Sequence, residues 1–411
     1  MTLESQINQF LTHSDPVFHG ENMLERMQNL VDAIGNPEKH LHIIHVAGTS
    51  GKTSTCYFAT SLLQQAGYTT GLTVSPHVDS VRERAIVNLH PLSEKDWITH
   101  MSEFFSIVQN SGIKPSYFEF HMAFAFWLFA KLKLDYAVIE TGLGGTWDGS
   151  NIARNTDKID IITDIGFDHT EILGDNLPTI ATEKAGIIHP GNTVFAYPQT
   201  PEISSVFKAR AEQVHATLRL LDNVDKNFMV RNFNLAKFAV NFALERDDHT
   251  PLTPNQITQA RSIPIPARAE QTCYRDKQVI MDGSHNPQKL QAFVQYLDQK
   301  YPSNSRILLA TLGNNKLIAL DENMRILRQI SDQIILTSFE NASLETHKRT
   351  SIDKQALVNS ATRANFASVT YIHNPLTALN AATDHSSSQL VITGSFYLLD
   401  HLRPHLLNST T

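Results

Sequence analysis

Residues 45–54 read His-Val-Ala-Gly-Thr-Ser-Gly-Lys-Thr-Ser, between the apolar run Leu41 to Ile44 and a helix-forming segment that stops at Gly67. Gly48 and Gly51 permit a tight turn whose backbone N–H groups face an anion at the positive end of the following helix. Lys52 then neutralises outer phosphates, and the hydroxyl beside it, Thr53, is where such loops hold Mg²⁺. The general pattern G-x-x-x-x-G-K-[ST] asks for glycine at position 46, where this chain has Val46, so the match is to a shorter variant.

Further chemistry-bearing residues fall where strands should end, the edge at which open parallel sheets collect ligands. Ser75-Pro76-His77 can place a hydroxyl near the loop, although Ser-Pro is also an ordinary turn pair. Glu140, followed by Thr-Gly-Leu-Gly-Gly, ends an apolar strand, where a buried carboxylate calls for a metal or a basic partner; the alternative is an exposed glutamate opening a flexible turn. His169 in Asp-His-Thr is one histidine among 19, and Mg²⁺ prefers oxygen ligands. Lys184 lies late in a short helical segment, where a solvated lysine suits the helix dipole and a desolvated one becomes neutral and reactive. Met281-Asp282-Gly283-Ser284-His285-Asn286-Pro287 sits between a strand and a helix, as a site or as a plain Asp-Gly turn.

The elements that must position these residues alternate. Strands are expected at Leu41 to Ala47, Thr69 to Val74, Asp135 to Thr141, Ile159 to Thr163 and Thr193 to Ala196. Helices are expected at Lys52 to Ala66, Glu94 to Gln109, Glu119 to Leu132, Pro178 to Ala185 and Phe233 to Glu245. Such alternation predicts an α/β fold whose first domain is a P-loop-containing, mainly parallel sheet. After Ser262-Ile-Pro-Ile-Pro266, an extended connector, strands at Gln278 to Met281, Arg306 to Ala310, Gln333 to Thr337, Ser368 to Ile372 and Gln389 to Thr393 predict a smaller Rossmann-like α/β domain. The expected domains are residues 1–266 and 267–411.

At 411 residues the chain exceeds one ordinary core. A formal charge of −7 without any Lys/Arg run excludes an extensive nucleic-acid surface. Cys56 and Cys273, far apart and outside any C-x-x-C spacing, exclude a disulfide framework and a cysteine zinc site. Met1 to Gly20 lacks the pattern of a signal peptide, and the apolar stretch Met122 to Ala130 is too short to span a bilayer. The expectation is a cytoplasmic monomer that binds small molecules, with no membrane or nucleic-acid partner.

The strings HVAGTSGKTS, SPHVDSVRER, SYFEF, ETGLGGTWDGSN, GFDHTEILG, EKAGIIHPG, PARAE and DGSHNP, with TGSFYLL near the end, resemble the folylpolyglutamate synthase and dihydrofolate synthase family of the Mur ligase superfamily. The resemblance implies an ATP-dependent amide ligase that adds L-glutamate to a folate or dihydropteroate carboxylate through an acyl phosphate. It implies that Gly48, Thr49, Ser50, Gly51, Lys52, Thr53, Ser54, Asn234, Arg268 and Asp282 bind ATP. Ser75, Glu140 and His169 would hold Mg²⁺, and Lys184, as a carbamate, would support a second Mg²⁺; a monovalent cation is also compatible with the family. Lys52, Lys184 and His285 are the implied catalytic residues, and Phe118 and Asp148 line the pterin pocket.

Three departures stand out. Thr53 replaces a glycine of the family's usual GTNGKGS, Thr146 and Trp147 replace the arginine and leucine of GGRLDATN, and Ala267 replaces a glycine before Arg268. Two rival readings share the loop. A Mur-type peptidoglycan ligase would carry a separate domain ahead of the loop, and only 47 residues precede Gly48. A non-ligase nucleotide-binding regulator accounts for Lys52 but not for Ser75, Glu140, His169 and Lys184 together.

Overall fold

The structure, a computed structural model, describes residues 2–11, 21–302, 305–343 and 347–407. It divides into two compact units, Met1–Ile263 and Pro264–Thr411, so the division falls at residue 263 and not at 266. Ile265 is buried and its carbonyl accepts the Arg268 N–H, which draws the connector's end into the second unit.

The first unit is built on an eight-stranded sheet of β1 (His42–Ala47), β2 (Thr70–Thr73), β3 (Ile86–Val87), β4 (His90–Pro91), β5 (Tyr136–Glu140), β6 (Ile159–Ile162), β7 (Thr193–Ala196) and β8 (Thr217–Leu220). Their order is β4-β3-β2-β5-β1-β6-β7-β8. All neighbours are parallel except β2–β3 and β3–β4. The central strands are nearly continuous apolar runs because helices cover both faces of a parallel sheet. β3, β4 and β8 escape a pattern reading because they are two to four residues long, and β4 and β8 are largely exposed.

Register sets the working edge of this sheet. β1 lies between β5 and β6, with Val46 opposite Glu140 and Ala47 opposite Ile162. The loop that follows Ala47 therefore begins beside Glu140 on one flank and Thr163-Asp164 on the other.

The expected helices form, at Lys52–Gln65, Glu94–Ser111, Tyr117–Lys131, Leu177–Ala185 and Phe228–Arg246. The last begins five residues before the expected Phe233, because the Asn227 side chain accepts the Met229 and Val230 N–H groups as a cap. The helices Leu3–Leu11, Glu21–Ala33, Pro201–Gln213 and Pro254–Arg261 were not among the expected elements. Tyr117–Lys131 is apolar around nearly its whole circumference and buried, as a core helix should be. Among the described residues no helix is long and apolar enough to cross a membrane.

The second unit has a six-stranded sheet of β9 (Glu270–Tyr274), β10 (Lys277–Met281), β11 (Arg306–Ala310), β12 (Gln333–Leu336), β15 (Ser368–Tyr371) and β16 (Gln389–Thr393), in the order β15-β12-β11-β16-β10-β9. Only β9–β10 is antiparallel. A separate hairpin, β13 (Glu340–Ser343) and β14 (His347–Thr350), lies between β12 and β15 in sequence.

Candidate active site

The glycine-rich loop leaves β1 and enters the helix Lys52–Gln65. Gly48 takes φ +148°, and a Cβ there would lie 1.9 Å from Thr163 Oγ1. Gly51 takes φ +91°, with the Asn232 amide 2.8 Å from where a Cβ would sit. Both glycines are thus required by backbone angle and by crowding. The loop is fastened to the segment after β6: Thr49 N–H donates to Asp164 O at 2.7 Å, and the Thr49 hydroxyl donates to Gly166 O at 3.0 Å. Asn232 Nδ2 donates to Ser54 Oγ at 2.8 Å, and Ser54 Oγ donates to Gly51 O at 3.1 Å. Lys52 Nζ bends back to Gly48 O at 3.1 Å, which puts an ammonium over the turn at a helix N-terminus. This is the arrangement that receives a polyphosphate.

Beside it, Glu140 is 2% exposed. Its Oε1 accepts the Thr53 hydroxyl at 3.0 Å and its Oε2 accepts the Ser75 N–H at 3.2 Å. Thr53, Ser75 and Glu140 therefore meet at the carboxyl edge of β1, β2 and β5. The side chains of all three end in oxygen, the donor type a hard divalent cation takes together with phosphate oxygens and water, although Ser75 meets Glu140 through its N–H. His169 opens the short helix Thr170–Leu173, is largely exposed, and has Nδ1 3.8 Å from Glu171. Among the described residues no cluster of three or more His, Cys, Asp or Glu is placed to hold a metal.

The segment after Glu140 folds over two further candidates. Ser116 and Glu119 form a reciprocal cap at the start of the helix Tyr117–Lys131, which fixes Phe118 in its first turn. A Cβ on Gly142 would lie 2.5 Å from the Phe118 ring and 3.1 Å from Asp148 Oδ2, so residues 118 and 148 converge on one glycine. Asp148 is buried; Oδ2 accepts the Leu143 N–H at 2.8 Å and Oδ1 accepts the Ser150 N–H at 2.9 Å. Burial pushes its carboxyl above the usual range, while these hydrogen bonds draw it back down. Beneath it, His45 Nε2 lies 2.8 Å from Ser150 Oγ and 3.0 Å from Thr141 Oγ1.

The same segment runs onto the helix Leu177–Ala185. Thr146 N–H donates to Glu183 O at 2.8 Å, and a Cβ on Gly145 would lie 2.4 Å from that oxygen. Lys184, 4% exposed, is thereby held under the glycine-rich segment and not in solvent. Thr146, the residue that departs from the family's arginine, makes this contact. Asn234 is half-buried on the helix Phe228–Arg246, about 200° around the axis from Asn232.

In the second unit, Arg268, Asp282 and His285 gather around Phe396. The Arg268 guanidinium lies 4.1 Å from the Phe396 ring centroid, and the His285 ring packs edge-on to it at 5.6 Å. Asp282 is buried and accepts the Ala269 and Ser284 N–H groups, each at 2.8 Å. Burial raises its carboxyl above the usual range, opposed by Ser284 and by Arg268. His285 Nδ1 lies 2.8 Å from Gly283 O, which can only accept, so Nδ1 carries a proton, and Nε2 faces the Lys289 ammonium at 3.4 Å.

Several residues at these sites were not singled out from sequence. Asp164, ion-paired with Arg231, and Asn232 anchor the loop, and His45 supports Ser150. Their partners are 67 to 178 positions away, so no local motif marks them.

The family model described as "Dihydrofolate synthetase, C-terminal domain" matches residues 266–405. The chain is 28% identical to the dihydrofolate synthetase of Saccharomyces cerevisiae over 416 aligned residues, 92% of this chain and 96% of that protein. It is 39% identical over 203 residues to the dihydrofolate synthase/folylpolyglutamate synthase of Bacillus subtilis, about half of each chain. Its fold matches that of Mycobacterium tuberculosis folylpolyglutamate synthase complexed with ADP and AMPPCP, with a TM-score of 0.83, 25% identity and 98% of each chain covered.

Proposed function

We propose that the chain is a member of the folylpolyglutamate synthase and dihydrofolate synthase family, to whose members it is similar, and that it is an ATP-dependent ligase that joins L-glutamate to dihydropteroate or a folate through an acyl phosphate. The observation that carries this reading is the meeting of the Lys52 loop with Thr53, Ser75 and Glu140 at one sheet edge. Dihydropteroate is the favoured acceptor, since the full-length likeness to the yeast protein and the matching family model both bear the name dihydrofolate synthetase.

In this reading the N–H groups of Thr49 to Ser54 and the Lys52 ammonium bind the β and γ phosphates of ATP. Ser75, Glu140 and His169 would hold Mg²⁺, which would neutralise charge on the transferred phosphoryl group. A lysine ammonium as buried as Lys184 is costly; carbamylation by CO₂ converts it to an anion suited to a second Mg²⁺. Phe118 and Asp148 take the pterin, ring against ring and carboxylate against its N–H groups. An oxygen of the substrate carboxylate attacks the γ phosphorus, and the bond to ADP breaks. The glutamate amine then attacks the acyl carbon, and the tetrahedral intermediate expels phosphate as the amine loses a proton. His285 Nε2 accepts that proton, while Arg268 and Asp282 bind ATP.

The test offers ATP, Mg²⁺ and L-glutamate with dihydropteroate or tetrahydrofolate in parallel and follows product mass. A gain of one glutamyl unit on dihydropteroate, with ADP and phosphate released in equal amount, is expected. ADP release that ignores acceptor and glutamate, with no mass gain on either acceptor, would sink the assignment.

A further inference from the structure

Arg268 stands between two alanines in the left-handed region, Ala267 at φ 54° and Ala269 at φ 47°. Side chains disfavour that conformation, so the turn must be held from outside. Two buried carboxylates hold it. Glu270 Oε2 accepts the Ala267 N–H at 2.8 Å, and Asp282 Oδ2 accepts the Ala269 N–H at 2.8 Å.

Glu270 is in turn gripped from the last helix, Phe396–Leu407. Arg403, 8% exposed, donates Nε to Glu270 Oε2 at 2.7 Å and Nη2 to Oε1 at 2.8 Å, a two-pronged pair that fixes the plane of the carboxylate. The same helix supplies the ring under Arg268, and residues 396 and 403, seven apart, lie on one face. Phe396 fits there because position 283 is glycine: a Cβ on Gly283 would be 1.9 Å from the ring. One helix face thus sets both the backbone beneath Arg268 and the surface under its guanidinium.

We propose that Arg403 is a positioning residue of the ligase: through Glu270 it holds the Ala267-Arg268-Ala269 turn in the geometry that presents Arg268 to the nucleotide. This rests on the reading above that Arg268 contacts ATP. The fork from Arg403 to Glu270 cannot be reproduced by the point charge of a lysine.

The test measures ADP affinity by calorimetry, melting temperature, and KM against kcat for the full chain and for Arg268→Ala, Arg403→Met, Arg403→Lys and the double variant Arg268→Ala/Arg403→Met. Arg268→Ala tests the underlying reading alone: unchanged ADP affinity there removes Arg268 from the nucleotide site, and the inference with it. With that effect present, Arg403→Met should weaken ADP by about tenfold and raise the KM for ATP, with the KM for glutamate unmoved. Arg403→Lys, the variant that keeps the buried charge and the fold, should fall between. In the Arg268→Ala background Arg403→Met should cost no further ADP affinity, because its effect travels through Arg268. Independent, multiplying losses, or a lower melting temperature with unchanged ADP affinity in both Arg403 variants, would overturn the proposal.

Discussion

At the scale of single residues, Thr53 shows how a departure from a family's usual string becomes a specific contact. The sequence marks it as a hydroxyl beside the loop lysine, but its partner Glu140 is 87 positions away and is brought to it by the β1–β5 register. Both groups are nearly buried, so the bond is made away from water. Thr53→Val keeps the shape and strips a donor from a buried carboxylate, a loss of about 1–3 kcal/mol. Thr53→Ser should recover most of it. Thermal unfolding of the three proteins checks this, and a Val variant as stable as the parent would mean that the hydroxyl contributes nothing net. The same register explains why Ser75 could be placed near the loop from the order of strands alone, whereas Asn232 and Asp164, which fasten the loop from other elements, could not.

At the scale of elements, the segment from Thr141 to Asn151 is placed by its docking on the helix Leu177–Ala185. The contact is tight on both sides: a Cβ on Gly145 meets Glu183 O at 2.4 Å, and one on Gly186 meets Thr146 Oγ1 at 2.1 Å. Gly145→Ala must lift the segment off the helix, at a cost of about 1–3 kcal/mol. Gly149, in the same segment, has its nearest neighbour at 3.6 Å and should accept alanine with little change. Melting temperature and turnover of the two variants discriminate; equal behaviour would remove the docking contact as the positioning device. The long elements were legible because their apolar periodicity is strong, as in β1, β5 and Tyr117–Lys131. The loop's docking was not, since glycine spacing announces close approach without saying what is approached. The helix start at Phe228 was missed for a related reason: Asn227 reads as a turn residue until its side chain is seen capping Met229 and Val230.

At the scale of the whole molecule, the first unit's sheet keeps several histidines neutral, and this gives the fold a direction in pH. His45 is fully buried and His121 nearly so, and burial holds both well below the ordinary imidazole range. His189 is pushed down to about 3 by burial, then by the charges of Lys158, Arg154 and Arg210, while its Nε2 lies 2.8 Å from Asn151 Oδ1. None of these was distinguishable in the sequence from the other sixteen histidines, because burial behind a sheet is a property of the assembled fold. In the unfolded chain each titrates near 6.5, so below that pH the unfolded state takes up protons that the folded state refuses. The contribution of these histidines is therefore full above about pH 6.5 and is lost as pH falls toward 3, with His189 alone removing about 2 kcal/mol by pH 5. Asp160 acts the other way: buried beside Lys158, its carboxyl is raised to about 6, so its protonation favours the folded state as pH drops. Burial raises the carboxyls of Glu38, Asp148, Asp164 and Asp282 as well, so these oppose the histidines together with Asp160. Against that background His189→Gln, whose amide can still donate to Asn151 Oδ1, should make the stability change from pH 7 to pH 5 about 2 kcal/mol more favourable to the folded state, read from unfolding at both pH values. A pH dependence unchanged by the substitution would show that His189 takes up its proton equally in the folded and unfolded protein.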